Sequence, residues 1–214
     1  KVALLTPRVE PGVSQGAANL LSGSGDLTFT ADPSAGEPLS GRFPFKAESG
    51  VITMTNAQLD LPKTSVTIDG TIQPDKRLSL DLKLTSDDLA TTDALGVRLR
   101  GAFGTSGAQP LGATGRGTFQ GRVNGTMAAP VASGRFQGSS VAYLGVSWGD
   151  LDWEGGASGV ELKSNGLVAV RGASRVEMSG VQRLGQSGVD DAMDLNVTIL
   201  DWPAKDLLRV VDSD

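Results

Sequence analysis

The sequence predicts an all-β protein: one elongated, strongly curved antiparallel sheet forming a U-shaped groove, with one or two short helices. Three observations carry this. First, Leu78-Ser-Leu80-Asp-Leu82-Lys-Leu84-Thr85 alternates strictly, placing four leucines on one face of a strand and polar groups on the other. Second, 29 glycines among 214 residues, about twice the usual share, separate short strand candidates every 8–12 residues. Third, only 5% of residues are aromatic, which leaves little bulk to fill the core of a sandwich or closed barrel. An apolar strand face without bulky cover fits a sheet bent into an open trough, and glycine tolerates the bends.

In chain order, strands are expected at Leu27–Thr30, Arg42–Lys46, Val51–Thr55, Gln58–Leu61, Ser65–Thr71 and Leu78–Thr85. Others follow at Val97–Arg100, Thr118–Val123, Gly134–Gln137, Val141–Trp148 and Leu151–Glu154. The last group is Gly159–Lys163, Gly166–Arg171, Arg175–Val181 and Met193–Ile199, where Met193, Leu195, Val197 and Ile199 repeat the alternation with better strand formers. A helix is expected after each alternating strand. Thr85-x-x-Asp88 has capping-box spacing ahead of Leu89, Ala90, Ala94 and Leu95. Pro203 can open the second, with Leu207, Val210 and Val211 on one face. Both are too short to persist without packing on the sheet.

Internal repetition is visible. Gly23-x-Gly25 and Ser40-Gly41-Arg42-Phe43 return as Gly115-x-Gly117 and Ser133-Gly134-Arg135-Phe136, at offsets of 92 and 93. Val66-Thr67-Ile68-Asp69-Gly70 returns as Val176-Glu177-Met178-Ser179-Gly180 at 110, and Leu78–Leu84 as Met193–Ile199 at 115. The expected organisation is one elongated unit over 1–214, with a first β repeat at 20–96 and a second at 97–214. The growing offset predicts insertions in the second repeat near Tyr143–Gly159 and Gly185–Asp190.

Composition removes most enzyme chemistry. Without histidine there is no Ser-His-Asp triad or imidazole base, and without cysteine no thiolate, disulfide or zinc–cysteine cage. No metal site, cofactor or catalytic residue is expected. A net charge of −5 with scattered cations argues against nucleic acid as a partner. Gly115-x-Gly117-x-x-x-Gly121 misses the dinucleotide-loop spacing and runs into a strand. The opening at Lys1, without an initiator Met, is expected of a segment of a longer protein.

Two stretches resemble a known family. Gly50-Val-Ile-Thr-Met-Thr-Asn-Ala-Gln-Leu-Asp-Leu-Pro62, followed by Val66-x-Ile68-Asp-Gly70, the Leu78–Leu84 strand and Asp87-Asp-Leu89, looks like the TamB and AsmA-like superfamily of bacterial envelope proteins. Gly121-Arg-Val-Asn-Gly-Thr-Met-Ala-Ala-Pro130, followed by Gly134-Arg-Phe136, is similar to a phrase recurrent in TamB-type chains. The Gly145–Gly159 stretch departs from the pattern. The resemblance implies a β-taco: a U-shaped sheet with an apolar interior, in a periplasmic rod anchored in the inner membrane. It further implies movement of phospholipid between inner and outer membranes, and help in assembling outer-membrane proteins. The partners so implied are a TamA-like outer-membrane barrel or nascent outer-membrane strands.

The residues expected to line the lipid groove are Ile52, Met54, Val66, Ile68, Leu78, Leu80, Leu82, Leu84, Met178, Leu195, Val197 and Ile199. Burying apolar surface contributes ~0.8 kcal/mol per methylene, so a tail of about sixteen carbons gains on the order of 10 kcal/mol gross in such a trough. Uniform rows of aliphatic side chains would let it slide. The free sheet edges of a segment predict edge-mediated self-association. The alternative is an extracellular carbohydrate-active or adhesive β-domain. There Asp150, Asp152 and Glu154, alternating with Leu151 and Trp153, would act on sugar or hold calcium, with Trp148 nearby.

Overall fold

The computed structural model describes residues 22–31, 38–93, 112–143, 145–158, 161–183 and 192–206. Among the described residues, eleven strands form one antiparallel sheet in strict chain order, and that sheet does not close. They are β1 (Gly23–Ala31), β2 (Leu39–Glu48), β3 (Val51–Leu61), β4 (Thr64–Ile72), β5 (Arg77–Ser86) and β6 (Thr114–Thr126), then β7 (Ala129–Tyr143), β8 (Val146–Ala157), β9 (Glu161–Arg171), β10 (Ser174–Arg183) and β11 (Ala192–Leu200). Two short helices complete the fold; their described parts are α1 (89–93) and α2 (204–206).

Tight turns make this meander possible. Between β2 and β3, Ser49 and Gly50 both take positive φ, 50° and 78°, the paired left-handed geometry that matches the twist of a hairpin. Pro62 and Lys63 turn β3 into β4, with Lys63 at φ 65°.

The boundaries differ from expectation for one recurring reason. Val51–Thr55 and Gln58–Leu61 are a single strand, β3, whose pairing slips between Met54 and Ala57 on both sides. The extra residue of this bulge resets the alternation. Ile52 and Met54 (even positions) therefore share a face with Ala57, Leu59 and Leu61 (odd positions). The described part of Gly159–Lys163, from Glu161 on, and Gly166–Arg171 likewise belong to one strand, β9, where the face passes from Leu162 and Ser164 to Leu167 and Ala169. A period-two reading breaks at such a point although the strand does not. Conversely, Val141–Trp148 is divided by a turn at Gly145 between β7 and β8. Val97–Arg100 and Gly185–Asp190 lie outside the described residues.

The stretches that match in sequence also match in pairing. Leu27 faces Phe43 as Phe119 faces Phe136. Gly70 faces Leu80 and Ile68 faces Leu82, as Gly180 faces Leu195 and Met178 faces Val197. Gly70 and Gly180 share an unusual backbone, φ 133° and 144°. In each, a Cβ would fall 2.1 Å from the carbonyl oxygen of the facing strand. Where an insertion is expected near Tyr143–Gly159, the structure has a whole strand, β8, between β7 and β9.

Helix α1 does not use the expected capping box. Its cap is Asp88, whose Oδ1 accepts from Ala90 N at 3.1 Å, while Ser86 Oγ accepts from Asp88 N at 3.1 Å. Thr85 lies on the exposed polar face. Ala94, Leu95, Leu207, Val210 and Val211 fall outside the described residues.

Candidate functional site: an uncovered apolar face

Tracing cross-strand partners from β1 to β11 identifies which side chains share a face. Leu27 and Phe29 begin it, Phe43, Phe45 and Ala47 continue it on β2, and the β3 residues named above follow. Val66, Ile68 and Ile72 of β4 oppose Leu84, Leu82 and Leu78 of β5. The face then crosses Phe119 and Val123, Phe136, Leu151 and Trp153, and Leu167 and Ala169. It ends on Val176 and Met178 of β10 and Leu195, Val197 and Ile199 of β11. The opposite face carries the charges: Arg42 with Asp26, Arg122 with Asp81, and Arg135 with Asp152.

Among the described residues, no second layer covers the apolar face beyond the margin where Trp202 packs on Ala169 and Val176. Substantial packing is confined to hydrogen-bonded neighbours in the sheet. Leu78, Leu80, Leu82 and Leu84 are each half-buried, shielded by their neighbours but, among the described residues, not roofed. Of the twelve residues expected to line a groove, none belongs to the buried core, and Ile52, Val197 and Ile199 are 38%, 49% and 43% exposed. All twelve share the one face. They form two groups, eight on β3–β5 and four on β10–β11, and about 24 Å of sheet lies between β5 and β10.

The intervening lining was missed by the sequence reading, and its composition differs. Phe119, Phe136 and Trp153 stand opposite one another on three successive strands, and Gly121, Gly134 and Gly155 do the same two residues along. A Cβ on Gly121 or Gly134 would lie 2.6 or 2.7 Å from the Phe119 ring, and one on Gly155 2.5 Å from the Trp153 ring. The rings therefore lie down over bare glycine backbone. Gly117-Thr-Phe119-Gln-Gly121 and Gly134-Arg-Phe136-Gln-Gly138 carry that signal, as Gly-x-Phe-x-Gly repeated on paired strands.

Both helices sit at the same margin of the sheet, because β5 and β11 run in the same direction. At α1, Leu89 is buried beside the Thr64, Ser86 and Thr92 hydroxyls, which bond one another at 2.8–3.0 Å. Before α2, Trp202 packs on Val146, Ala169 and Val176, with its ring tilted against that of Trp148 at 5.4 Å between centroids. The Arg171 guanidinium lies 4.6 Å over the Trp202 ring and bonds Asp206 at 2.7 Å. At the opposite margin Met127, Leu162 and Met193 are 55%, 42% and 64% exposed.

The carboxylate strand offers little to a sugar. Asp152 is held by Arg135, whose Nε donates to Oδ1 at 2.7 Å and whose second nitrogen donates to Oδ2. That bond, reinforced by Gln137 and by the charge of Arg135, outweighs slight desolvation and keeps the Asp152 carboxyl below its ordinary range. A general acid needs the opposite shift. Trp153 points to the apolar face, and Trp148 belongs to the Trp202 cluster. Among the described residues, no group of three or more metal-ligating side chains converges.

No protein-family model, curated protein or solved structure matches this chain.

Proposed function

We propose that the chain is part of a TamB- or AsmA-like cell-envelope protein whose apolar face carries phospholipid acyl chains between inner and outer membranes. One observation supports this above the others: a continuous apolar lining, about 48 Å wide across eleven strands, that no second layer covers among the described residues. Exposed apolar surface of this extent marks a binding surface in a native protein. Its chemistry matches a hydrocarbon tail, since it offers contact area and few hydrogen-bonding groups, and the headgroup can remain in water. The reading places the chain in the periplasm, in a parent anchored in the inner membrane, with a TamA-like barrel or nascent outer-membrane strands as further partners. Among the described residues no helix is long and apolar enough to cross a membrane.

The test is lipid extraction and native mass spectrometry of the purified protein and of Leu82→Glu. Leu82 lies mid-strand and half-buried, so a carboxylate can reach water there while charging the centre of the lining. The expected outcome is phospholipid bound to the parent, and a folded variant that has lost most of it. A parent with no lipid or detergent, or a variant that retains its lipid in full, defeats the proposal.

A further inference from the structure

The two edge strands of the sheet, among the described residues, are related to a pair of strands already joined inside it. At one edge, β11 repeats β5, because Leu195, Val197 and Ile199 hold the pairings to β10 that Leu80, Leu82 and Leu84 hold to β4. At the other, β1 repeats β6, because Gly25, Leu27 and Phe29 hold the places toward β2 that Gly117, Phe119 and Gly121 hold toward β7. Within the chain β5 pairs with β6: Leu80 faces Val123, Leu82 faces Gly121 and Leu84 faces Phe119. Among the described residues, β11 and β1 each have a neighbour on one side only.

We propose that the β11 edge of one copy pairs with the β1 edge of another, antiparallel, in the register that β5 takes with β6. The partner is a second copy of this chain. Carrying the β5–β6 register across places Leu195 opposite Ala31, Val197 opposite Phe29 and Ile199 opposite Leu27 of the next copy. Leu27, Phe29, Leu195, Val197 and Ile199 belong to the apolar face, so the lining runs on from copy to copy. On the outer face the register sets Asn196 against Thr30 and Thr198 against Thr28, with no like charges opposed. A slip of one residue would turn the apolar side of one strand against the polar side of the other. The contact is head-to-tail, so it leaves a free edge at each end and does not close a dimer. None of this depends on what fills the apolar face.

The chain has no cysteine, which makes the test clean. Val197→Cys and Phe29→Cys proteins are prepared separately, and a short thiol-to-thiol cross-linker is applied to each alone and to their mixture. The mixture is expected to give at least several-fold more cross-linked dimer than either variant alone. A chain carrying both cysteines should give a ladder of dimers, trimers and longer species. If either variant alone cross-links as well as the mixture, the edges pair with themselves and the proposal is overturned. It is equally overturned if the mixture cross-links no more than the separate variants while circular dichroism shows both folded.

Discussion

The aliphatic flank on β3–β5 and the glycine–aromatic centre on β6–β8 meet the same demand by different means. Each must shield one face of a sheet that, among the described residues, has no second layer over it there. On the flank, every position carries its own cover: Leu78 to Leu84 shade their strand and lean on Val66 and Ile68 opposite. In the centre, alternate positions carry no side chain, and Phe119, Phe136 and Trp153 cover backbone belonging to their neighbours. The flank therefore presents a ribbed surface and the centre a flat one. Area alone does not fix the shape of an apolar lining; who covers whom does.

The largest effect should come from imposing the flank's rule on the centre. In Gly134→Leu, the new Cβ would meet Gln120 O at 2.5 Å and the Gly121 Cα at 2.7 Å, both backbone atoms of a paired strand. A loss of about 3 kcal/mol or failure to fold is expected, at the upper end of overpacking costs. Denaturant unfolding that finds the variant as stable as the parent would show that the centre has no need of its glycines. Next comes removal of cover. Phe119→Ala bares both Gly121 and Gly134, whereas Leu82→Ala bares only its own strand. With one side of each residue already open, roughly half the closed-core cost applies, about 2 kcal/mol for Phe119 and about 1 for Leu82. Equal losses in urea melts would erase the distinction between the regions.

The smallest effect lies on the polar face. Because its folded value is depressed, the Asp152 carboxylate adds stability above the ordinary Asp range near pH 3.9, and that stability is lost as pH falls through the folded value. The pair with Arg135 is exposed and salt-screened, so Asp152→Asn should barely change the melting temperature at pH 7. It should also flatten the decline of the melting curve series below pH 4. A large drop at pH 7 would show that the centre leans on its outer face more than its inner one.

Much of this was legible in the sequence, for a physical reason that also marks where reading stopped. Strict alternation in Leu78–Leu84 and Met193–Ile199 is a direct image of a two-sided strand, and both stretches lie on the apolar face as expected. The placing of Asp150, Asp152 and Glu154 on one side of β8 was visible for the same reason, but the engagement of Asp152 by Arg135 and Gln137 was not, since those residues arrive from another strand. The centre stayed hidden because glycine registers as a break in pattern searches, although here it is a seat for a ring two residues away. The joins within β3 and β9 were hidden because a bulge disguises one strand as two.

That bulge has a consequence for how such a chain tolerates length change. Counting along β3, inside and outside exchange parity between Met54 and Ala57, and β9 makes the same exchange between Ser164 and Leu167. Elsewhere in these strands the loss or gain of a single residue would invert everything downstream of it. At the bulge, removing one residue would merge the two halves into a regular strand with half its oily side chains facing water. β3 and β9 thus each hold a parity switch near the middle, which must be kept for both ends of the strand to face the same way.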